Sequence, residues 1–176
     1  IPINPNFQPV QINNLLESVD ADILLLDAST FHLAKEVNNN ILVLDFSLAY
    51  KVIISKKIEH YVTLNIKNYD EFLITLSSGS TGNPKPVIFS EKNKIDRSEQ
   101  AIKLFSVSEK DVILCASPFF HSLGQRLTLL PLLVGATLIQ VARFTGKNWS
   151  NAVFNNKVTF TIPVSSHLHE LIDIFL

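Results

Sequence analysis

The chain has 176 residues and a net charge of −1, with 47% hydrophobic and only 18% charged residues. The near-neutral charge argues against a nucleic-acid partner, which favours a basic face. No apolar run reaches the roughly 18 residues that a membrane-spanning helix needs, and the single cysteine excludes an internal disulfide. The length allows one domain with a real core. The apolar excess and the lack of Met suggest part of a larger protein. Because the chain has a single cysteine and nothing in it resembles a signal peptide, the expected compartment is the cytoplasm.

The first half of the chain alternates predicted helices and strands. Apolar residues at helical spacing predict a helix from Pro9 to about Val19. Apolar runs predict buried strands at residues 23–27 and 41–44, with a short helix between them, and a further short strand at 52–54. This order predicts an α/β fold with a mostly parallel sheet flanked by helices.

The most informative stretch lies at residues 77–86, between two apolar segments. It contains four hydroxyls, two glycines and Lys85. The glycines let the backbone approach a bulky anion, and the backbone N–H groups, hydroxyls and Lys85 supply donors. The alternative is an ordinary Ser/Gly-rich surface turn. Pro84 and Pro86 stand where a Walker loop needs Gly and Ser or Thr, so the pattern predicts strand, loop, strand.

The second half of the chain continues the alternation. Ser90 is predicted to cap an amphipathic helix over residues 91–105, and Gly135 to end a helix that reaches Val134. The remaining predicted elements are strands at 112–116, 137–141 and 158–163, and helices at 147–154 and 167–176.

Histidine is the residue type that raises the question of a metal site. His167 and His169 are two apart on a predicted helix and therefore point away from each other. His32 and His60 are isolated among polar neighbours. His121 differs because it follows a predicted strand end, where sites of α/β proteins gather. Its alternative role is to cap the helix that follows.

Three stretches resemble the adenylate-forming superfamily, which includes acyl- and aryl-CoA synthetases, nonribosomal-peptide adenylation domains and luciferases. Residues 77–87 resemble its signature T-S-G-[ST]-T-G-x-P-K-G-V, with Ser77 in place of Thr and Pro86 in place of Gly. Residues 117–124 resemble its P-x-x-H-x-x-G element, and residues 158–163 resemble its V-T-x-x-x-x-P stretch with one residue fewer before the proline. The resemblance implies that residues 1–176 are an incomplete N-terminal AMP-binding domain, with the phosphate loop at 77–86 and no C-terminal lid.

The resemblance also implies the chemistry: ATP-dependent activation of a carboxylic acid to an acyl-AMP, and then transfer to a thiol of coenzyme A or a carrier protein. It implies that ATP is bound by Ser77, Ser78, Gly79, Ser80, Thr81, Gly82 and Lys85. Lys85 and His121 are the implied catalytic residues, and Phe119, Phe120, His121 and Gly124 the implied substrate pocket. The Mg²⁺ ligand is expected outside this chain, which alone is expected to be inactive without the remainder of its polypeptide. The alternatives are a non-catalytic adenylation-like binding domain and an unrelated α/β ATPase.

Overall fold

The computed structural model describes residues 1–38, 40–55, 70–77 and 85–175. Contacts divide the chain into two compact units, each taken here over its described residues. One unit comprises Ile3–Lys67 and Leu76–Val87, and the other comprises Ile1–Pro2, Asn68–Thr75 and Ile88–Leu176.

The first unit is built on a pair of parallel strands. Its elements are α1 (Pro9–Ser18), β1 (Ile23–Leu26), a 3₁₀ helix (Phe31–Glu36), β2 (Leu42–Asp45) and α2 (Phe46–Ser55). β1 and β2 pair in parallel, with Ile23 opposite Leu42. The core of this unit consists of buried apolar side chains from α1, β1 and the 3₁₀ helix: Ile12, Leu16, Leu24, Leu26 and Leu33.

These strands are buried on one face only, whereas the apolar run predicted full burial. Leu24 and Leu26 face the core, while Ile23 and Leu25 are each 52% exposed. The alternation follows from the pleat, because successive side chains of a strand point to opposite faces.

The strand predicted at residues 52–54 is wrong, since these residues lie in α2. The β-branched sequence there favours a strand, but the helix is set by its N-terminus. Asp45 Oδ1 accepts hydrogen bonds from the backbone N–H groups of Ser47 at 2.7 Å and Leu48 at 3.3 Å. This is the capping pattern of an aspartate directly before a helix.

β3 (Glu71–Ser77) and β4 (Lys85–Ser90) pair in a two-stranded sheet, and each contributes residues to both units. The strands on either side of the predicted phosphate loop are therefore as expected, and no helix begins at residues 85–88.

The rest of the second unit is a three-stranded parallel sheet in the order β6-β5-β7, with helices. Its elements are α3 (Glu91–Phe105), β5 (Val112–Cys115), α4 (Ser122–Val134), β6 (Thr137–Gln140), α5 (Gly146–Asn156), β7 (Phe160–Thr161) and α6 (Ser165–Phe175). β5 is central, and its Ile113, Leu114 and Cys115 are fully buried. The core joins β5 to α3 and α4 through Ala101, Val107, Leu127 and Leu130.

Two caps that the sequence predicted are present at the ends of α3 and α4. Ser90 Oγ accepts from the N–H of Asn93 at 3.2 Å, and Asn93 Oδ1 accepts from the N–H of Ser90 at 3.3 Å. Gly135 ends α4 with a φ of 76°, in the left-handed region that glycine adopts without strain. The α/β prediction with mostly parallel strands is confirmed.

β7 is shorter than the strand predicted over residues 158–163. The side chain of Thr159 replaces part of the ladder, because its Oγ1 accepts from the N–H of Val112 at 3.0 Å and donates to Asp111 Oδ1 at 2.7 Å. Pro163 has no N–H to extend the ladder at the other end. Over the described ranges, no helix has the length and apolar character of a membrane span.

Candidate functional site

The two ends of the predicted phosphate loop meet at the start of β4. Ser77, the last residue of β3, donates from Oγ to the backbone carbonyl of Lys85 at 3.2 Å. The side chains of Ser77 and Lys85 are both exposed, so the Lys85 ammonium is accessible to solvent. Ser78, Gly79, Ser80, Thr81 and Gly82 lie outside the described residues.

The second group of predicted site residues lies in a turn between β5 and α4. The N–H of His121 donates to the carbonyl of Pro118 at 3.0 Å, and α4 begins at the next residue, Ser122. His121 occupies the N-cap position with extended backbone, and its side chain makes no capping hydrogen bond within the described structure. Its ring is exposed and lies against Phe120, with 4.4 Å between ring centroids. The capping role considered for the imidazole is therefore not observed.

Gly124 has a clear packing role in this turn. A Cβ atom built on Gly124 would lie 2.1 Å from the carbonyl oxygen of Pro118 and 2.7 Å from that of Ser117. The first turn of α4 thus passes directly against the backbone that carries Phe119 and His121. The structure places Phe119, Phe120 and His121 in one turn and Gly124 in the first turn of α4 against it; their role in binding an acyl group stays a prediction.

A polar cluster that the sequence patterns did not predict lies under the same end of α4. Lys94 Nζ donates to Gln125 Oε1 at 2.6 Å, and Thr75 Oγ1 donates to the same oxygen at 3.0 Å. All three side chains are buried. The Lys94 ammonium also lies 3.8 Å from the centroid of the Phe89 ring, a cation–π distance.

The environment of the Lys94 ammonium disfavours its charged form. Burial of the ammonium, followed by repulsion from Arg97 and Arg126, lowers the pKa of Lys94 to about 8. A sequence signal for the cluster exists, because Lys94 and Ser98 share a helix face with the core residue Ala101, at spacings of four and three. Polar residues on an apolar helix face require polar partners.

Among the described residues, the histidines other than His121 form no metal site. His32 is exposed, with Nδ1 3.1 Å from the carbonyl of Ser29, and His60 lies outside the described residues. His167 stacks on Phe144 with 3.8 Å between centroids, and burial lowers its pKa against the opposing effect of Glu170. No group of three or more His, Cys, Asp or Glu side chains with metal-binding geometry occurs in the described ranges.

Comparison with known proteins gives a match along almost the whole chain. A family model described as AMP-binding enzyme matches residues 1–175. A chloroplastic/peroxisomal 2-succinylbenzoate–CoA ligase of Arabidopsis thaliana is 32% identical over 103 residues, which cover 58% of this chain and 18% of that protein. A D-alanine–D-alanyl carrier protein ligase of Listeria monocytogenes is 38% identical over 74 residues, 42% of this chain and 14% of that protein.

Solved structures share the fold at low sequence identity. O-succinylbenzoate coenzyme A synthetase from Bacillus subtilis, in complex with AMP, superposes with a TM-score of 0.84 at 20% identity, covering 99% of this chain and 44% of that one. The N-terminal domain of FACL13 from Mycobacterium tuberculosis gives 0.85 at 17% identity, covering 96% and 44%. The chain therefore spans less than half the length of these structures.

Proposed function

The chain belongs to the AMP-binding enzyme family, and from that premise we propose that its protein activates a carboxylic acid with ATP and transfers the acyl group to a thiol. The observation that carries the proposal is the family match over residues 1–175. In this proposal residues 1–176 supply an N-terminal part of the AMP-binding domain, with the phosphate loop at 77–86. The lid and the rest of the site belong to other parts of the polypeptide.

The first step converts a poor electrophile into a good one. A carboxylate oxygen attacks the α-phosphorus of ATP, the bond from that phosphorus to the bridging oxygen breaks, and pyrophosphate leaves with the electron pair. A thiolate then attacks the acyl carbon, and AMP leaves. Catalysis of the first step depends on positioning and on stabilising charge.

The proposed roles of this chain's residues follow from their chemistry. The hydroxyls and N–H groups of the 77–82 segment and the exposed Lys85 ammonium hold the β- and γ-phosphates. His121, exposed at the start of α4, lies beside the carboxylate, and Phe119 and Phe120 shape the adjoining acyl pocket.

The proposed reaction also needs Mg²⁺ and a thiol acceptor, and we assign neither of them a site in this chain. A solved relative contains ATP and a magnesium ion. Because the described ranges hold no cluster of metal ligands, we assign no Mg²⁺ ligand here and derive no step through the metal. The thiol acceptor is coenzyme A or a carrier protein, as the names of the relatives suggest.

The test is acid-dependent exchange of labelled pyrophosphate into ATP, measured on the full-length protein with a panel of carboxylic acids. We expect exchange only when a suitable acid is present. Membership in the family removes the alternative of an unrelated α/β ATPase. Binding of ATP and acid without exchange would instead support the non-catalytic alternative, with Pro86 in β4 as its first sequence sign.

A further inference from the structure

A small, partly open pocket between α3 and α4 carries three cationic side chains. Its lining consists of Lys94, Arg97, Ser98, Ser122, Gln125, Arg126 and Leu129. The chain has only three arginines, and two of them are in this lining. The lining includes no acidic side chain. A pocket lined in this way has an excess of positive charge, which favours an anion.

Two of the cationic side chains, Lys94 and Arg97, share Phe89 as an aromatic neighbour. Lys94 Nζ is 3.8 Å from the centroid of the Phe89 ring, and Arg97 Cζ is 5.9 Å from the same centroid. The salt bridge between Lys92 and Asp96 on α3 involves neither Lys94 nor Arg97. Repulsion from Arg97 and Arg126 also acts on the Lys94 ammonium. A bound anion would relieve this repulsion.

Gln125 gives an independent sign of a missing ligand. Its side chain is 1% exposed, and its Nε2 has no hydrogen-bond partner among the described residues. The orientation of the amide is fixed, because Lys94 can only donate and therefore requires the oxygen at the 2.6 Å contact. One of the residues that line the pocket thus carries a buried N–H donor without an acceptor in the described structure, and such a donor costs free energy unless it is satisfied.

We propose that this α3–α4 pocket binds an anionic group, and that the acid activated by the protein carries this group in addition to the carboxylate that is adenylated. The second half of the statement rests on the proposed function. The pocket reaches Ser122, the residue after His121, which is proposed to lie beside the reacting carboxylate. The enclosed space is small, so it takes the terminal carboxylate or phosphate of a substrate whose remainder lies outside.

The residue types in the pocket distinguish this group from the phosphates of ATP. Those phosphates are assigned to the 77–85 segment, which has its own lysine and hydroxyls. The α3–α4 pocket has arginines, whose planar groups recognise carboxylate and phosphate by paired hydrogen bonds. A monocarboxylic acid leaves these arginines without an anionic partner. Such a site discriminates strongly against an analogue that lacks the recognised group.

The first experiment measures acid-dependent pyrophosphate exchange by the full-length protein. It compares linear dicarboxylates, from succinate to suberate, with monocarboxylates of the same length. We expect kcat/KM to be at least about tenfold higher for the best dicarboxylate. Arg126→Gln should reduce this preference to about twofold or less, whereas Arg143→Gln, which changes the arginine outside the pocket, should leave it intact. Equal use of both series, or a preference unaffected by Arg126→Gln, would overturn the inference.

The second experiment is calorimetry without ATP, with inorganic phosphate and each dicarboxylate from succinate to suberate as probes. Binding that is lost in Arg126→Gln and kept in Arg143→Gln supports the anion site even if no acid gives exchange, in which case only the proposed function fails. Exchange with monocarboxylates and no calorimetric binding overturns the anion site and leaves the proposed function standing. If Arg126→Gln weakens binding of coenzyme A but changes neither acid preference nor probe binding, the assignment to the acid is wrong.

Discussion

Lys94 and Gln125 join α3 to α4 through a buried hydrogen bond of 2.6 Å, in which the ammonium donates to the amide oxygen. The same oxygen accepts a second hydrogen bond from Thr75 on β3. One amide thus connects α3, α4 and β3. A buried lysine is rarely tolerated unless it is paired, so this amide is the group that makes its burial tolerable.

The first prediction concerns that pair. Gln125→Leu should destabilise the protein by about 2–4 kcal/mol, because it leaves the Lys94 ammonium and the Thr75 hydroxyl buried without an acceptor. The double variant Lys94→Met, Gln125→Leu should recover more than half of that loss, since it removes donor and acceptor together. Urea unfolding of the single variant, the double variant and the wild type measures their free energies of unfolding. A double variant no more stable than Gln125→Leu would contradict the account.

The sequence predicted the elements around this pair but not the pair itself. α3 and α4 could be predicted because their ends carry local signals, the Ser90 cap and Gly135. Lys94 was missed because the periodicity of α3 was assigned from its apolar residues, and a lysine on a helix is ordinarily solvated. Its partner Gln125 is 31 residues further along the chain. Such a contact depends on the packing of two helices, which local patterns do not specify.

At residues 45–55 the prediction failed although a local signal for the observed helix was present. The strand signal of the β-branched run was given more weight than the helix cap. The β-branched run at 52–54 predicted a strand, while Asp45 at the end of β2 begins a helix. Within the candidate site, the turn at Phe119–His121 follows from its motif and its place after β5. The close approach of Gly124 to Pro118 requires coordinates, because it depends on how α4 docks on the turn.

The second prediction concerns that close approach. Gly124→Ala should destabilise the protein by about 1–3 kcal/mol, because the added methyl overlaps the carbonyl oxygen of Pro118 and forces α4 away from the turn. Gly135→Asn is the matched control on the same helix, where nothing lies within 4 Å and asparagine tolerates the positive φ. Thermal unfolding compares the two variants. A larger loss for Gly135→Asn would show that the docking of α4 does not depend on this contact.

The third prediction concerns the pH dependence of stability through His167. Burial lowers the pKa of His167 below its ordinary value of 6.5, so below that value the unfolded chain takes up a proton that the folded protein resists. Stability is therefore retained above about pH 6.5 and lost as the pH falls from there towards the folded pKa. We expect His167→Gln to show a smaller loss between about pH 7 and about pH 5.5 than the wild type does.

Urea midpoints at the two pH values measure this difference, and carboxylates elsewhere contribute equally to both proteins. His169→Gln is the control, since His169 is exposed two residues further along α6. It should retain the wild-type dependence. The assignment to His167 is wrong if His167→Gln and the wild type lose the same stability on acidification.

The last prediction concerns Lys85, the first residue of β4. Its side chain is exposed, and its carbonyl already accepts the hydrogen bond from Ser77. Lys85→Ala should leave the fold intact, because the backbone contact does not involve the ammonium. In the proposed reaction the ammonium balances the charge that develops on the leaving pyrophosphate. Its loss should raise the barrier by about 2–4 kcal/mol, as for removal of one preorganised group at a transition state.

Pyrophosphate exchange in the full-length protein should fall accordingly, while Lys110→Ala, which removes an exposed lysine from another turn, should not change it. Wild-type exchange in a folded Lys85→Ala protein would remove Lys85 from the phosphate site.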